Sequence, residues 1–156
     1  MINNDVLRSI RYMLDLSDTK VVEIAKRVDP AFPIEKADVL AFLRREDDPH
    51  YVECSDAVLA HLLDGLVIHC RGRHDSLPAR PLEKRVTNNL VLKKLRVAFE
   101  LKDVDLHDVF ATAGFPISKP EMTALFRQPS HHNYRACGDQ LLRNFLKGLT
   151  LRVRGS

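Results

Sequence analysis

The feature that most constrains this chain is that it is written twice. Asn3-Asn4-Asp5-Val6-Leu7-Arg8-Ser9-Ile10-Arg11 lies over Asn88-Asn89-Leu90-Val91-Leu92-Lys93-Lys94-Leu95-Arg96 at an offset of 85, which holds through Leu16/Leu101 and Asp18/Asp103. From Phe32-Pro33-Ile34 over Phe115-Pro116-Ile117 the offset falls to 83, so the second copy lacks two residues near Asp29-Pro30-Ala31. A turn of variable length belongs there. The smaller offset carries Arg44/Arg127, Tyr51/Tyr134, Cys54/Cys137, Asp56/Asp139, Gly65/Gly148, Leu66/Leu149 and Arg71-Gly72/Arg154-Gly155. Self-similarity of this kind restricts the fold to one small module used in tandem. Residues 1–73 form the first repeat and 87–156 the second. The polar stretch 74–86, with Pro78 and Pro81 and no clear apolar period, is the linker. Each half is small enough to be marginal alone, so the copies are expected to pack together.

Within each copy the apolar period is helical. Val6, Leu7, Ile10 and Leu14 recur at steps of three and four, as do Val91, Leu92, Leu95 and Phe99. Asn3 or Asn4 is a suitable cap for the first helix. Ser17 or Asp18 caps a second helix that buries Val21, Ile24, Ala25 and Val28, matched by Leu106, Val109, Phe110 and Ala113. Gly114 then permits a C-terminal stop. Ser118-Lys119-Pro120-Glu121 reads as a capping box with proline in the first turn of a third helix, whose buried face is Met122, Leu125 and Phe126. In the first copy that helix is expected to carry Glu35, Asp38 and Glu46 beside Lys36, Arg44 and Arg45. A fourth helix follows Cys54-Ser55-Asp56 or Cys137-Gly138-Asp139, burying Val58, Leu59, Leu62, Leu63 and Leu66, or Leu141, Leu142, Phe145, Leu146 and Leu149. The expected fold is all-α: a tandem repeat of a four-helix module, with a helix-turn-helix-like second and third helix in each copy.

Two of these segments, with the opening Asn-Asn-Asp-Val-Leu-Arg-Ser-Ile-Arg-Tyr, carry a family likeness. They are the Phe-Pro-Ile after the second helix and Glu46-Asp47-Asp48-Pro49-x-Tyr51-x-x-Cys54-Ser55-Asp56. The chain resembles the bacterial YehS family, built from domain of unknown function 1456 usually present twice per chain. The likeness covers all but the linker, and it implies a small cytoplasmic bacterial protein without assigning catalytic, cofactor or binding residues. The second copy departs from the pattern, with Gln128-Pro129-Ser130 set one residue over against Glu46-Asp47-Asp48, and Gly138 for Ser55.

Charge separates the copies. The formal total is +3, but residues 1–73 hold 10 Lys and Arg against 13 Asp and Glu, while 74–156 hold 14 against 8. That asymmetry suits a nucleic-acid face on the second copy, or an acidic half that attracts a basic half. The phosphate-binding candidates are Lys93, Lys94, Arg96, Lys119, Arg127, Arg135, Arg143 and Lys147. His131 and His132 add to them, and Tyr134 could stack on a base if exposed. A helix-turn-helix reading draws on Ala25 and Gly114, although each copy holds only one of the two, the first copy's turn is longer, and Pro120 sits where base-reading side chains belong.

Other chemistries find less in the sequence. Histidines stand near Cys54, Cys70 and Cys137, yet no paired Cys-x-x-Cys ligand motif occurs, and no metal or other cofactor is expected. Cys54 and Cys137 read as small buried fillers rather than activated thiols. No nucleophile elbow, glycine-rich phosphate loop, dinucleotide fingerprint or zinc-protease helix is present. Met1 and Ile2 lead into the polar Asn3-Asn4-Asp5 rather than a signal-type apolar core, and no apolar run approaches the roughly 18 residues of a membrane span, so a cytoplasmic protein with reduced thiols and no membrane role is expected. The functional expectation is a non-enzymatic accessory or regulatory protein that binds nucleic acid through its second repeat. The alternative is a protein-interaction or self-associating adaptor, a homodimer for instance, with no nucleic-acid role.

Overall fold

In the computed structural model, which describes residues 1–72 and 83–155, eight α-helices and no strands are found among the described residues. They divide into two compact units, Met1–Val86 and Thr87–Ser156. Most of the linker expected over 74–86 lies outside the described residues.

The first unit holds α1 (Asn3–Leu14), α2 (Asp18–Ala25), α3 (Lys36–Phe42) and α4 (Asp56–Arg71); the second holds α5 (Asn88–Ala98), α6 (Asp103–Thr112), α7 (Lys119–Leu125) and α8 (Asp139–Arg154). Helix starts follow the cap chemistry of the sequence. Ser17 and Ser55 accept from Lys20 N and Val58 N at 3.1 and 3.2 Å, and Thr87 from Leu90 N at 3.1 Å. The box at Ser118 closes in both directions, with Glu121 N donating to Ser118 Oγ at 3.2 Å and Ser118 N to Glu121 Oε1 at 3.1 Å. Carboxylates at the third helical position reach back similarly at α1, α3 and α6: Asp5, Asp38 and Asp105 accept from Ile2 N, Glu35 N and Lys102 N.

Two expectations about the helices are corrected. Neither Asn3 nor Asn4 caps α1, since the cap position is Ile2 and both amides are used elsewhere. The third helix of the first unit stops at Phe42, so Arg44, Arg45 and Glu46 lie in the loop beyond it rather than on a helical face. Residues 26–35 separate α2 from α3 and 113–118 separate α6 from α7. Both connections exceed the 3–4-residue turn of a helix-turn-helix, and α3 and α7 are only seven residues long.

Each core forms where its four helices turn their apolar stripes inward. In the first unit these are Val6, Leu7, Ile10 and Met13 from α1, Val21, Ile24 and Ala25 from α2, Val39 and Phe42 from α3, and Leu59, Leu62, Leu63 and Leu66 from α4. The second unit repeats the set around Phe110 and Phe145, whose rings lie 5.5 Å apart in a tilted pair. Val28, Val58, Phe126 and Leu141 are half-buried rather than buried as expected.

The tightest crossing is α4 on α2, and its counterpart α8 on α6, and a repeated glycine permits it. A Cβ on Gly65 would lie 1.8 Å from Ile24 O, and one on Gly148 would lie 2.0 Å from Val109 O. No side chain fits against a backbone carbonyl at that distance. The two units also diverge internally. Phe32 stacks on the buried His61 with centroids 3.6 Å apart, whereas Phe115, its counterpart, is 51% exposed and Asn144 takes the place of the histidine.

Candidate nucleic-acid interface

The repeated Asn-Asn pair ties the start of each module to the loop ahead of its last helix. Asn4 is fully buried; its amide donates to Phe42 O at 2.9 Å and Val52 O at 3.0 Å, and its carbonyl accepts from Cys54 N at 2.8 Å. Asn89 does the same with Leu125 O, Arg135 O and Cys137 N. Asn3 and Asn88 donate to Cys54 O and Asp56 Oδ1, and to Cys137 O and Asp139 Oδ1. The loops at 43–55 and 126–138 are thereby held in the same course, so loop residues of the two units can be compared position by position.

On this frame the eight basic residues fall into three groups. Arg96 is committed to structure: it pairs with Asp103 at 2.8 Å, donates to Leu101 O at 3.2 Å and covers the Phe126 ring at 4.8 Å. The equivalent Arg11 and Asp18 form an ion pair too. Arg135 is neutralised by Glu121 at 2.9 Å. Lys93 on α5, Lys119 at the first position of α7, and Arg143 and Lys147 on α8 are exposed and form no ion pair among the described residues. Lys94 is half-buried on α5, and Arg127, half-buried in the loop after α7, contacts His131 at 3.1 Å. Arg143 and Lys147 stand one turn apart and share a face of α8. Tyr134 is half-buried, as is Tyr51, which limits it as a stacking platform.

The chain matches the family described as "Protein of unknown function (DUF1456)" twice, over residues 3–72 and 88–155. It belongs to that family. The two matches correspond to the two helical units, so the family's domain is the four-helix module held by the Asn-Asn pair. The chain is also 43% identical over 152 residues to "Uncharacterized protein YehS" of Escherichia coli (strain K12), covering 97% of this chain and 96% of that protein. No solved structure matches. Membership settles the repeat and leaves the function open.

The thiols behave as core atoms. Burial pushes Cys54 up to about 12 and Cys137 up to about 11, far from the lowered values that activate a nucleophile. Among the described residues no group of three or more His, Cys, Asp or Glu is gathered to hold a metal, and His74 lies outside them. No helix among the described residues is long and apolar enough to cross a membrane. Sequence reading missed the Asn pair as a cross-link, and the signal was present: a doubled polar residue repeated at the start of an amphipathic helix.

Proposed function

We propose that this chain is a non-enzymatic accessory or regulatory protein of the cytoplasm that binds nucleic acid through its second unit. The observation that carries the reading is the reversal of charge between equivalent last helices. α8 carries Arg143, Lys147, Arg154 and an Arg152 that is paired with Asp105 at 2.9 Å, against Asp139, whereas α4 carries Arg71 against Asp56 and Asp64. Lys147 replaces Asp64, and the exposed Arg143 replaces the buried Ala60. Where α4 has a buried alanine and a half-buried aspartate, α8 presents two exposed cations on one face, an arrangement suited to a polyanion.

The experiment is fluorescence anisotropy of labelled single- and double-stranded oligonucleotides across a salt series. Wild-type protein is expected to bind at low salt, and the Arg143→Ala/Lys147→Ala variant to lower the slope of log K against log salt by about 1.5–2. No binding at low salt, or a slope the variant leaves unchanged, contradicts the proposal. A second reading, a protein-interaction or self-associating adaptor, is favoured by Phe115. That ring is exposed in the second unit where its counterpart is stacked in the first, and light scattering that shows assembly without nucleic acid would support it.

A further inference from the structure

The loop after the third helix is built alike in both units but with one chemically consequential exchange. In the first unit Asp48 N donates to Arg45 O and Tyr51 N to Asp48 O; in the second His131 N donates to Gln128 O and Tyr134 N to His131 O. The structural partner of Asp48 is thus His131, which moves the alignment of the acidic run by one residue from the Gln128-Pro129-Ser130 match read in the sequence. Asp48 accepts twice: from His50 N at 2.8 Å and from Arg44 at 3.3 Å. His131 stands in both roles, its Nδ1 against Asn133 N at 3.0 Å and its Nε2 against the Arg127 guanidinium at 3.1 Å.

A carboxylate can accept both bonds, and an imidazole cannot. A neutral ring has one acceptor nitrogen and one N–H, and a protonated ring has two N–H groups. The backbone N–H of Asn133 is fixed by the turn, so Nδ1 is the acceptor and Nε2 carries hydrogen. That N–H then faces another donor, Arg127, which meets no carboxylate among the described residues. Arg44, its counterpart, is neutralised by Asp48. His132 stacks on His131 with centroids 4.6 Å apart and supports the ring.

We propose that Arg127 and His131 form an oxyanion clamp in which a phosphate oxygen is received by the guanidinium and the Nε2–H together. A phosphate oxygen provides the acceptor that Asp48 supplies in the first unit, and the positive charge of Arg127 favours an anion over water. The source of the phosphate is the nucleic-acid backbone if the function proposed above holds, or a free phosphate or phosphomonoester if it does not. The clamp deepens that reading without depending on α8.

The test uses the full chain and two ligands, inorganic phosphate and an oligonucleotide, monitored by the imidazole nitrogen resonances of His131. Before any ligand, the clamp requires the Nε2–H form with Nδ1 unprotonated; the opposite form overturns it. Inorganic phosphate is expected to shift these resonances, and His131→Asp to weaken it by about tenfold or more, because an aspartate satisfies Arg127 internally and repels the anion. That variant copies the turn of the first unit and keeps its backbone bond; Arg127→Gln provides an independent loss. Phosphate and oligonucleotide both weakened by His131→Asp supports the clamp on nucleic acid. A phosphate response without oligonucleotide binding supports the clamp and removes the nucleic-acid reading. Oligonucleotide binding indifferent to His131→Asp, with no phosphate response, overturns the clamp and leaves the α8 reading, and silence from both ligands overturns both.

Discussion

Asn4 and Asn89 contribute to stability out of proportion to their size. Each satisfies two backbone carbonyls and one backbone N–H that otherwise lose partners inside the module. Replacing Asn4 by Ala is expected to destabilise the first unit by about 2–3 kcal/mol, since buried polar groups are left unmet, and to be read in urea unfolding. Asn89→Ala is expected to cost somewhat less, because Arg135 is exposed and water can reach its carbonyl. Acid sensitivity belongs to this scale as well. A backbone bond from His50 lowers Asp48, one from Lys102 lowers Asp105, and the bond with the Ser118 hydroxyl, then the Ser118 N–H and Arg135, lowers Glu121. With folded values depressed, their contribution is present above the ordinary values of 3.8 and 4.5 and is lost as pH falls below them. Thermal unfolding followed from pH 7 to 3 is expected to show a decline beginning near pH 4.5, and Glu121→Gln to remove part of it.

Among the elements, the last helix of each unit is the one most narrowly specified. Gly65→Ala and Gly148→Ala drive a methyl group into Ile24 O and Val109 O, so the helices must separate and the core beneath them must open. A loss of about 3 kcal/mol or more, or failure to fold, is expected for each, against about 1 kcal/mol gained from alanine's helix propensity. Measured stability equal to or above wild type contradicts the close crossing. The sequence made the helices legible because apolar spacing and cap residues are local signals, and the four-helix count and the Ser118 box followed from them. The role of Gly65 and Gly148 was not legible, although the pair was visible in the repeat, because the Ile24 and Val109 carbonyls they meet lie on another helix. The Asn pair was misread as caps for the same reason: its partners are some fifty residues away.

At the scale of the molecule, duplication has produced one scaffold with two surfaces. Composition showed the sign of the difference, 10 basic against 13 acidic residues in 1–73 and 14 against 8 in 74–156. It could not show that Arg96 and Arg135 are committed to Asp103 and Glu121, because a charge count carries no information about neighbours. The free positive surface is therefore narrower than the sequence suggests. Of the eight candidates, Lys93, Lys119, Arg143 and Lys147 are exposed without an ion pair among the described residues, with the Arg127–His131 pair after α7, and the first unit has Asp64 and Asp48 where Lys147 and His131 stand.

Binding through the second unit is tested most directly by a map of backbone amide shifts in the full chain as an oligonucleotide is added at low salt. The largest changes are expected over α8 and residues 126–135, with α4 and residues 43–52 unmoved and the changes reversed by added salt. Shifts concentrated in the first unit, or a spectrum that does not change, contradict the account.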